Sequence, residues 1–450
     1  MARGTVAVVG GGCSGVLVTR ELLRRSNGGV VLIEPDEPGG GVAYGSARPW
    51  HLLNSRAGAM SADPDDPGHF VRWARARGLT VEPGDFLGRS DYGRYLREVL
   101  AETAAAHPSR LSVRPARAID LHAGATGWLV SLDNGTVVRA DDVVMAVGNP
   151  LGSEPSAVAP QLHDHPGYVA DPWRPGALEA IPGDEPVLLI GTGLTAVDVT
   201  LTLTAGGARS APVTAVSRRG QLPLSHTPQA APPSAPSLDD CATLRDVVRA
   251  VRASAGEAGD WRAVVDGMRP YLDQLWVALT RVEQEAFLRH LARPWECHRH
   301  RMAPSVAARI AALRAEDALL IRSGGIRAVT TARNGGLLVK FGAGDPQLFA
   351  AVVNCAGPGR MPASASPFVS TLLGAGLARV GPHDLGLDID AAGRLVGAGG
   401  ASQPGLWLVG PLRRGARWET TAVPEIRAQA HRLAADLAAG RSAGALLEAA

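Results

Sequence analysis

The chain has 450 residues, more than one hydrophobic core usually serves, so its length predicts two or three domains. Apolar residues make up 46% and charged residues 20% of the chain, the usual composition of a globular protein rather than a disordered one. The 45 basic and 43 acidic side chains leave a formal net charge of +2, which argues against nucleic acid or a membrane surface as a partner.

The four cysteines are scattered along the chain, at positions 13, 241, 297 and 355. Because no two of them form a CxxC or CxxxxC pair, the sequence predicts neither a disulfide framework nor a zinc cluster, and we expect no metal.

A strand begins at Thr5, which leaves no room for a signal peptide, and no apolar run reaches the roughly 18 residues that span a bilayer. We therefore expect a cytoplasmic protein with reduced thiols.

The first predicted elements are a buried strand from Thr5, a glycine turn and a helix to Arg25. A second strand is predicted over GVVLIEP, ending at Glu34, and a loop rich in Gly and Pro follows it. Helices are predicted over HFVRWARARG and YGRYLREVLAETAAAH. Between Leu111 and Val147 the pattern indicates short strands, with a hairpin at DNGT because Asn-Gly favours a tight turn.

A polar connection over residues 150–185 leads to a second strand-turn-helix, which begins at Val187 and is followed by the strand VTAVSRRG. The next segment, QLPLSHTPQAAPPSAPS, is rich in Pro and is predicted as a loop or lid. Apolar spacing predicts helices from residue 238 to about 293 and again over 302–314. Short strands follow to FAAVVNCAGP, and the tail is predicted as a strand, a loop and a last helix.

The first glycine turn reads Gly10-x-Gly12-x-x-Gly15 between a strand and a helix. The first Gly permits the tight turn, the second lets the backbone approach a pyrophosphate, and the third lets helix and strand pack closely. The helix N-terminus would offer free N–H groups to the anion. Glu34 ends the next strand, where an acid binds both ribose hydroxyls. The pattern predicts a dinucleotide site; the alternative is a glycine turn without a ligand.

A second turn has the same spacing, with Ala in the third place: Gly191, Gly193 and Ala196. Its partner strand ends in Ser217-Arg218-Arg219 instead of an acid. A carboxylate would repel a 2′-phosphate, whereas a guanidinium and a hydroxyl would hold one. The sequence therefore predicts NADPH rather than NADH, with Arg218 preferred over Arg219 as the phosphate ligand. The alternative is that both arginines form a solvated surface pair.

The first turn is paired with an acid at the predicted ribose position, and the second is paired with two arginines. Two such turns predict two different dinucleotides, and FAD with NADPH is the simplest pair. Two further strands end in small residues, DDVVMAVGNP with Gly148 and AAVVNCAGP, and resemble the turns at which two-dinucleotide flavoproteins pass between domains. The stretch GLWLVGP, which contains Gly410 and precedes a helix from Val423, resembles the last FAD contact of such proteins.

These features predict an α/β fold with two dinucleotide-binding, Rossmann-like domains. The FAD domain is expected to be discontinuous, formed by residues 1–150 and 354–450. The NADPH domain, residues 184–353, is expected to be inserted between those parts and to carry a helical insert at about 236–293.

Several stretches together resemble the bacterial FAD-NAD(P)-binding protein family: GGGVAYG, HLLNSRAGAMSADPDDPGHFVRWA, DYGRYL, GTGLTAVDV, SRRGQLP, RPWECHRHRMAP and WETTAVPEIRAQA. That family is distantly similar to the N-hydroxylating flavin monooxygenases that act on ornithine, lysine and aspartate. The resemblance covers nearly the whole chain. It implies a monooxygenase that consumes NADPH and O2 and hydroxylates the nitrogen of a small amine or amino acid through a C4a-hydroperoxyflavin. The helical insert is the least familiar part, where substrate choice would reside.

In two-dinucleotide flavoproteins, the region after the first βαβ segment runs beside the flavin ring. Here it contains Asn54, which can donate and accept at once and so suits a flavin edge or a nicotinamide amide. We name Asn54 and His51 as candidate catalytic residues; His51 could instead cap a local turn. Met60 is a candidate cofactor contact, with apolar packing as the alternative. His226, in the Pro-rich loop, is either a gate to the nicotinamide pocket or a solvated loop histidine.

If the stretch CHRHRM were a strand, His298 and His300 would face one way and Arg299 and Arg301 the other. A metal site would need a third ligand that the sequence does not place. The two arginines are therefore candidates for gripping a phosphate or carboxylate of the substrate. The alternative is an inter-domain salt-bridge network.

In WETTAVPEIR, Thr421 and Ala422 precede Pro424. Pro is tolerated in the first helical turn, and it leaves the preceding N–H groups free for a flavin carbonyl or a phosphate. Three arginines lie just upstream: Arg413, Arg414 and Arg417. They could hold a substrate carboxylate or the FAD phosphates, and the sequence leaves both options open.

An alternative function is an FAD-dependent NADPH reductase or dehydrogenase that inserts no oxygen. The missing CxxxxC pair argues against its disulfide-reductase branch. A third hypothesis is a nucleotide-binding sensor or scaffold without turnover, which Glu34, both turns and the arginine pair disfavour.

We expect a small-molecule substrate and O2 as partners, without nucleic acid or membrane. A homo-oligomer is compatible with the sequence.

Overall fold

The computed structural model describes residues 4–207, 209–333 and 335–448. The outermost positions of the expected FAD domain, 1–3 and 449–450, lie outside the described residues. The strands are, in chain order, β1 Thr5–Val9, β2 Gly29–Ile33, β3 Leu111–Arg114, β4 Ala118–Ala123, β5 Trp128–Leu132, β6 Val137–Ala140, β7 Asp142–Met145, β8 Tyr168–Val169, β9 Val187–Ile190, β10 Val213–Ser217, β11 Leu319–Ser323, β12 Ile326–Thr331, β13 Leu337–Phe341, β14 Gln347–Phe349, β15 Ala351–Asn354, β16 Arg394–Val396 and β17 Ser402–Leu408.

The α-helices are, in chain order, α1 Cys13–Arg25, α2 His69–Ala76, α3 Arg89–Ala106, α4 Leu194–Leu203, α5 Leu244–Glu257, α6 Trp261–Gly267, α7 Leu272–Ala278, α8 Arg281–His290, α9 Ala292–Arg299, α10 Pro304–Ala315, α11 Pro367–Gly374 and α12 Val423–Glu448. None of the helices in the described ranges is both long enough and apolar enough to cross a membrane.

The chain forms two compact units. Unit 1 comprises Met1–Ala47, Ser55–Leu151 and Arg360–Ala450, and unit 2 comprises Arg48–Asn54 and Gly152–Gly359. The expected α/β class with two Rossmann-type units, one interrupting the other along the chain, is confirmed. The assignment of FAD to unit 1 and of NADPH to unit 2 stays a prediction, as do the domain limits at residues 150, 184 and 354.

Unit 1 is built on a six-stranded sheet with the order β16-β17-β7-β1-β2-β3, in which only the β16–β17 pair is antiparallel. Its central strands are short apolar runs because parallel strands are covered on both faces. The antiparallel sheet β4-β5-β6 packs on one face, where Trp128 and Val130 join Ala7 and Val9 in one apolar cluster. The hairpin expected at DNGT joins β5 to β6, and Gly135 has a positive φ of 81° in its turn.

Unit 2 repeats this plan with a parallel five-stranded sheet, β11-β10-β9-β15-β8. The antiparallel sheet β12-β13-β14 packs against it through Leu188, Val339 and Phe341. Residues of α4 and α10 join a second apolar cluster with Val187 and Val213. Helices α5 to α9 lie between β10 and α10 in the chain and form the helical insert.

CHRHRM does not form a strand: residues 297–299 are the end of α9, and residues 300–302 lie beyond the helix. The backbone N–H of His300 donates to the Glu296 carbonyl at 2.8 Å, which is an i to i−4 helical bond. Alternation over four residues is too short a pattern to distinguish a strand from the end of a helix. His298 and His300 are therefore not displayed on one face as they would be on a strand.

Candidate dinucleotide sites

In the first turn, Gly10 and Gly15 lie so close to neighbouring backbone atoms that a Cβ atom would not fit. Gly10 has a φ of +101°, and a Cβ placed there would lie 2.5 Å from the carbonyl oxygen of Ala146. A Cβ on Gly15 would lie 1.8 Å from the Gly10 carbonyl oxygen, so only glycine lets α1 approach β1 this closely. Gly12 is the N-cap of α1 and no side chain caps it in the described structure, which leaves backbone N–H groups for an anion.

The carboxylate of Glu34 lies directly against this turn. Its Oε2 atom accepts a hydrogen bond from the Gly11 N–H at 2.5 Å, and its Oε1 atom accepts one from the Asp36 N–H at 3.2 Å. These bonds hold a negative acceptor at the end of β2, where the dinucleotide motif requires it for a ribose. The βαβ spacing places Glu34 as we expected, although ribose binding itself stays a prediction.

Two other strand ends reach the same edge of the sheet. The Ala146 N–H donates to the Val9 carbonyl at 2.8 Å, which brings the turn before Gly148 beside the first glycine turn. Gly410 follows β17 with a φ of +94°, and a Cβ there would lie 2.7 Å from Ser14 Oγ, in the first turn of α1. The predicted cofactor residues Gly10, Gly15 and Gly410 are thus close together in unit 1.

The sequence analysis missed Gln429, which positions Gly410. Its Oε1 atom accepts a hydrogen bond from the Gly410 N–H at 2.8 Å, and the side chain is buried. The available signal was a polar residue among the apolar positions of α12. Because buried polar groups need partners, such a residue indicates a specific contact.

The remaining cofactor candidates of unit 1 differ in exposure. Thr421 is exposed and Ala422 is half-buried, both just before α12, and the Ala422 carbonyl accepts the first helical bond from Ile426 N–H at 3.0 Å. Met60 is buried within unit 1, as the packing alternative expects. Gly148 has a φ of +79° with open space around it. Cofactor contact by these residues stays a prediction.

The second turn repeats the geometry of the first. Gly191 has a φ of +124°, and a Cβ there would lie 2.5 Å from the carbonyl oxygen of Cys355, which follows β15. Gly193 is the N-cap of α4, and in the described ranges no side chain caps it. Ala196 is buried in the core beneath, where its methyl group fits. Unit 2 therefore also presents a helix N-terminus suited to a phosphate.

The end of β10 provides hydroxyl and guanidinium groups, as predicted. Ser217 Oγ lies 2.8 Å from Thr192 Oγ1, which fixes it beside the glycine turn. Arg218 and Arg219 are exposed, and neither has a carboxylate at ion-pair distance in the described part of unit 2. Both guanidinium groups are therefore accessible to a 2′-phosphate, and their binding of that phosphate stays a prediction.

A further arginine, Arg293, lies at the second turn and was not among the predicted residues. Its Nη2 atom donates to the carbonyl oxygens of Gln221 at 2.6 Å and Thr192 at 3.2 Å. A Cβ placed on Gly193 would lie 3.8 Å from its Nη1 atom. The motif RPWECHRHRMAP begins with this residue, but a separation of 101 positions from Thr192 hid the contact.

The predicted catalytic residues lie in Arg48–Asn54, a short segment that belongs to unit 2. His51 is buried; its Nδ1 atom accepts from the Arg48 N–H at 3.1 Å, and its Nε2 atom lies 3.0 Å from Thr202 Oγ1. The first of these bonds is the local turn cap that we weighed as the alternative. Asn54 is half-buried, and its backbone carbonyl oxygen lies 3.1 Å from His226 Nε2. Roles at a cofactor stay predictions for both residues.

The predicted substrate arginines of the insert are buried within unit 2. The side chain of Arg301 is 2% exposed, and its Nη2 atom contacts Asp266 Oδ1 at 2.5 Å and Oδ2 at 2.7 Å. Burial lowers the pKa of Arg301 from its usual value, and Asp266 opposes that effect. Arg299 is also buried. This geometry matches a salt bridge, internal to unit 2 rather than inter-domain, better than it matches a substrate grip.

The three arginines before α12 differ in exposure. Arg417 is half-buried, and its Nη1 atom donates to the Ala416 carbonyl at 3.0 Å. Arg413 is buried and Arg414 is half-buried, 4.5 Å from the Trp418 ring centroid. A carboxylate or phosphate contact by Arg417 stays a prediction.

A cavity of about 430 Å³ lies in unit 2 beside Arg293. Loop residues 220–225 form one wall, and Pro294, Cys297 and His298 of α9 form another. Most of the remaining lining is apolar and comes from α10. Within the described ranges, no group of three or more His, Cys, Asp or Glu side chains is arranged to hold a metal ion.

Comparison with known proteins agrees with this geometry. Residues 7–150 match the family model described as FAD-NAD(P)-binding. No curated protein sequence matches the chain. The predicted cofactor class, FAD with a nicotinamide dinucleotide, is therefore confirmed.

Solved structures share the fold over nearly the whole chain at low identity. The FAD-bound cadaverine monooxygenase of desferrioxamine biosynthesis from Erwinia amylovora has a TM-score of 0.67 at 12% identity, covering 96% of this chain and 94% of that chain. An ornithine N-hydroxylase from Kutzneria sp. 744, with reduced FAD, NADP⁺ and L-ornithine, has a TM-score of 0.62 at 12% identity, covering 98% and 100%. The thioredoxin reductase of T. acidophilum has a TM-score of 0.52 at 11% identity, covering 98% and 99%. Residues 7–150 thus match the FAD-NAD(P)-binding family model, and the chain as a whole has the fold of these flavoenzymes.

Proposed function

We propose that this protein is an FAD-dependent oxidoreductase that consumes NADPH, with FAD in unit 1 and NADPH in unit 2. The observation that carries the proposal is the contrast between the two glycine turns. Glu34 places a carboxylate at the first turn, whereas Ser217 and the exposed Arg218 and Arg219 lie beside the second. A carboxylate suits free ribose hydroxyls, and guanidinium groups suit a ribose that carries a phosphate.

The residues present fit both cofactors. Gly12 and Gly193 would bring pyrophosphates onto the N-termini of α1 and α4. Ser217 Oγ and Arg218 would hold the 2′-phosphate of NADPH. Bound FAD would supply the redox chemistry, accepting hydride from NADPH and delivering electrons to O2. The protein would bind, orient and shield these groups from water.

We further propose that the reaction is N-hydroxylation of a small amine or amino acid. The balanced reaction is R–NH2 + O2 + NADPH + H⁺ → R–NHOH + NADP⁺ + H2O. One oxygen atom enters a new N–O bond, the other leaves as water, and NADPH supplies the two electrons that balance the reaction. The amine must react as its neutral form, because the nitrogen lone pair forms the bond.

The state of the thiols favours oxygen chemistry over disulfide reduction. All four cysteines are free. Burial raises the pKa of Cys13 to about 12 and raises the pKa of Cys355 well above its usual range. A dithiol relay needs two neighbouring thiols that ionise readily, whereas burial opposes the ionisation of Cys13 and Cys355. Further support comes from the cadaverine monooxygenase and the ornithine N-hydroxylase, which share this fold over nearly the whole chain.

The test is an amine screen on the purified flavoprotein. Oxygen uptake and NADPH oxidation should rise with one class of amine, and a hydroxylamine should accumulate in proportion to the NADPH consumed. Fast reduction of quinone or dye acceptors with no hydroxylamine for any amine would instead establish the reductase alternative. A protein that retains no flavin after reconstitution would refute both.

A further inference from the structure

We infer that Arg293, at the end of the helical insert, binds the pyrophosphate of the dinucleotide at the second glycine turn. This inference rests on the part of the proposed function that places NADPH in unit 2. It assigns a second cationic subsite, distinct from the 2′-phosphate subsite at Ser217 and Arg218. It also gives the insert a role in cofactor binding.

The position of the guanidinium group relative to Gly193 supports the assignment. In a dinucleotide turn, the second glycine lacks a side chain so that the pyrophosphate can approach the backbone. The Cβ that Gly193 lacks would lie 3.8 Å from Arg293 Nη1. The guanidinium group therefore borders the space into which a pyrophosphate would fit.

Unit 1 shows that this arrangement is not a general feature of the turn. A Cβ placed on Gly12, the matching glycine, would have the Gly41 Cα atom as its near neighbour, at 3.7 Å. A backbone carbon carries no charge, whereas Arg293 brings a full positive charge to the corresponding place in unit 2. The helix N-terminus of α4 and this side chain would act on the same anion.

The present partners of Arg293 leave its charge uncompensated. Its Nη2 atom donates to the Thr192 and Gln221 carbonyl oxygens and lies 3.3 Å from Thr192 Oγ1, and all of these are neutral acceptors. In the described parts of the chain, no carboxylate lies within ion-pair distance of it. Hydrogen bonds to a phosphate oxygen are stronger than bonds to a neutral carbonyl, so a pyrophosphate would compete well for this group.

A cavity borders two neighbours of Arg293. Arg293 is half-buried, and Gln221 and Pro294 beside it line the cavity of about 430 Å³. A side chain packed in a filled core could not exchange one acceptor for another without strain. The nearby space would allow Arg293 to exchange the Gln221 carbonyl for a phosphate oxygen.

The experiment compares the affinities of R293Q and R218A for NADP⁺, NAD⁺ and 2′-AMP, by isothermal titration calorimetry on the FAD-loaded protein. R293Q should weaken NADP⁺ and NAD⁺ by the same factor, about tenfold or more, and leave 2′-AMP unchanged, because 2′-AMP has no pyrophosphate. R218A should weaken NADP⁺ and 2′-AMP but not NAD⁺. R293K should lie between wild type and R293Q, since it keeps the charge and loses the planar fork.

The control is R289Q, which removes an exposed arginine from α8 of the same insert and should leave all three affinities unchanged. Far-UV circular dichroism and melting temperatures establish that each variant is folded; if R293Q is not folded, R293K provides the comparison. Unchanged affinities in folded R293Q, or a loss confined to NADP⁺ and 2′-AMP, would overturn the inference while leaving the proposed function intact. Wild-type protein that binds neither dinucleotide would overturn the proposed function itself.

Discussion

The Nε2 atom of His51 lies 3.0 Å from the Oγ1 atom of Thr202, in the last turn of α4. The other ring nitrogen accepts a hydrogen bond from the Arg48 N–H, so the proton of a neutral ring resides on Nε2. The same Nε2 atom lies 3.2 Å from the Asp198 carbonyl oxygen. These bonds tie the segment Arg48–Asn54 to the helix that starts at the second glycine turn.

The replacement H51F should therefore reduce stability before it affects chemistry. Removing a buried side chain with hydrogen bonds at both nitrogens should lower the free energy of unfolding by about 1–3 kcal/mol. Urea unfolding of wild type, H51F, T202V and the double variant measures this cost and the coupling between the two residues. W50F, which loses an indole N–H bond to Thr202 at the surface, is the control and should cost less. A large loss of kcat with unchanged stability would instead support the catalytic role.

Replacement of Glu34 should weaken the binding of FAD but not the binding of NADP⁺. In E34A the first turn loses its fixed carboxylate acceptor, and FAD affinity should fall about 10- to 100-fold, the range expected for a hydrogen bond to a charged group. Flavin fluorescence on titrating apoprotein with FAD measures the change. NADP⁺ affinity should stay at the wild-type value, because the second turn lies in unit 2. An equal loss of both dinucleotides would contradict the assignment.

Two helical glycines provide a matched pair for the packing argument. G15A would place a methyl group 1.8 Å from the Gly10 carbonyl oxygen and should destabilise the protein by at least about 3 kcal/mol. G256A, near the end of α5, meets no atom within 4 Å and should be neutral or stabilising by up to about 1 kcal/mol. Thermal and urea unfolding of both variants test the contrast. Similar stabilities of the two would show that α1 can move away from β1.

His69 should make stability depend on pH near neutrality. Burial lowers its pKa below the ordinary value of 6.5, and its Nδ1 atom lies 2.6 Å from the Tyr95 hydroxyl. As pH falls through 6.5, the unfolded chain takes up a proton that the folded protein does not, so stability decreases. The free energy of unfolding should therefore fall from pH 7.5 to 5.5 more steeply in wild type than in H69Q. Parallel curves for the two proteins would rule out this contribution.

The local sequence pattern was sufficient to predict the two glycine turns. In each one the strand, the glycines and the following helix lie within about 25 residues, and the glycines were recognisable from their spacing. Gly10 and Gly191 adopt a positive φ, and Gly15 has no room for a Cβ atom. Glu34 followed from the same short βαβ unit, in which the length of α1 sets the register of β2. Information of this kind is contained in neighbouring residues, so it can be read from the sequence alone.

Tertiary structure decided which distant residues complete each turn. Gln429 reaches Gly410, Arg293 reaches Thr192 across 101 positions, and His51 reaches α4 across 151. No local preference specifies such contacts, because they depend on how separate elements pack after the sheets have formed. The same reason applies to CHRHRM, where the alternating residue pattern did not indicate the helix that ends at Arg299. The sequence thus determined the two turns and the charged side chains at the ends of their strands, while the packing of remote segments determined which side chains surround them.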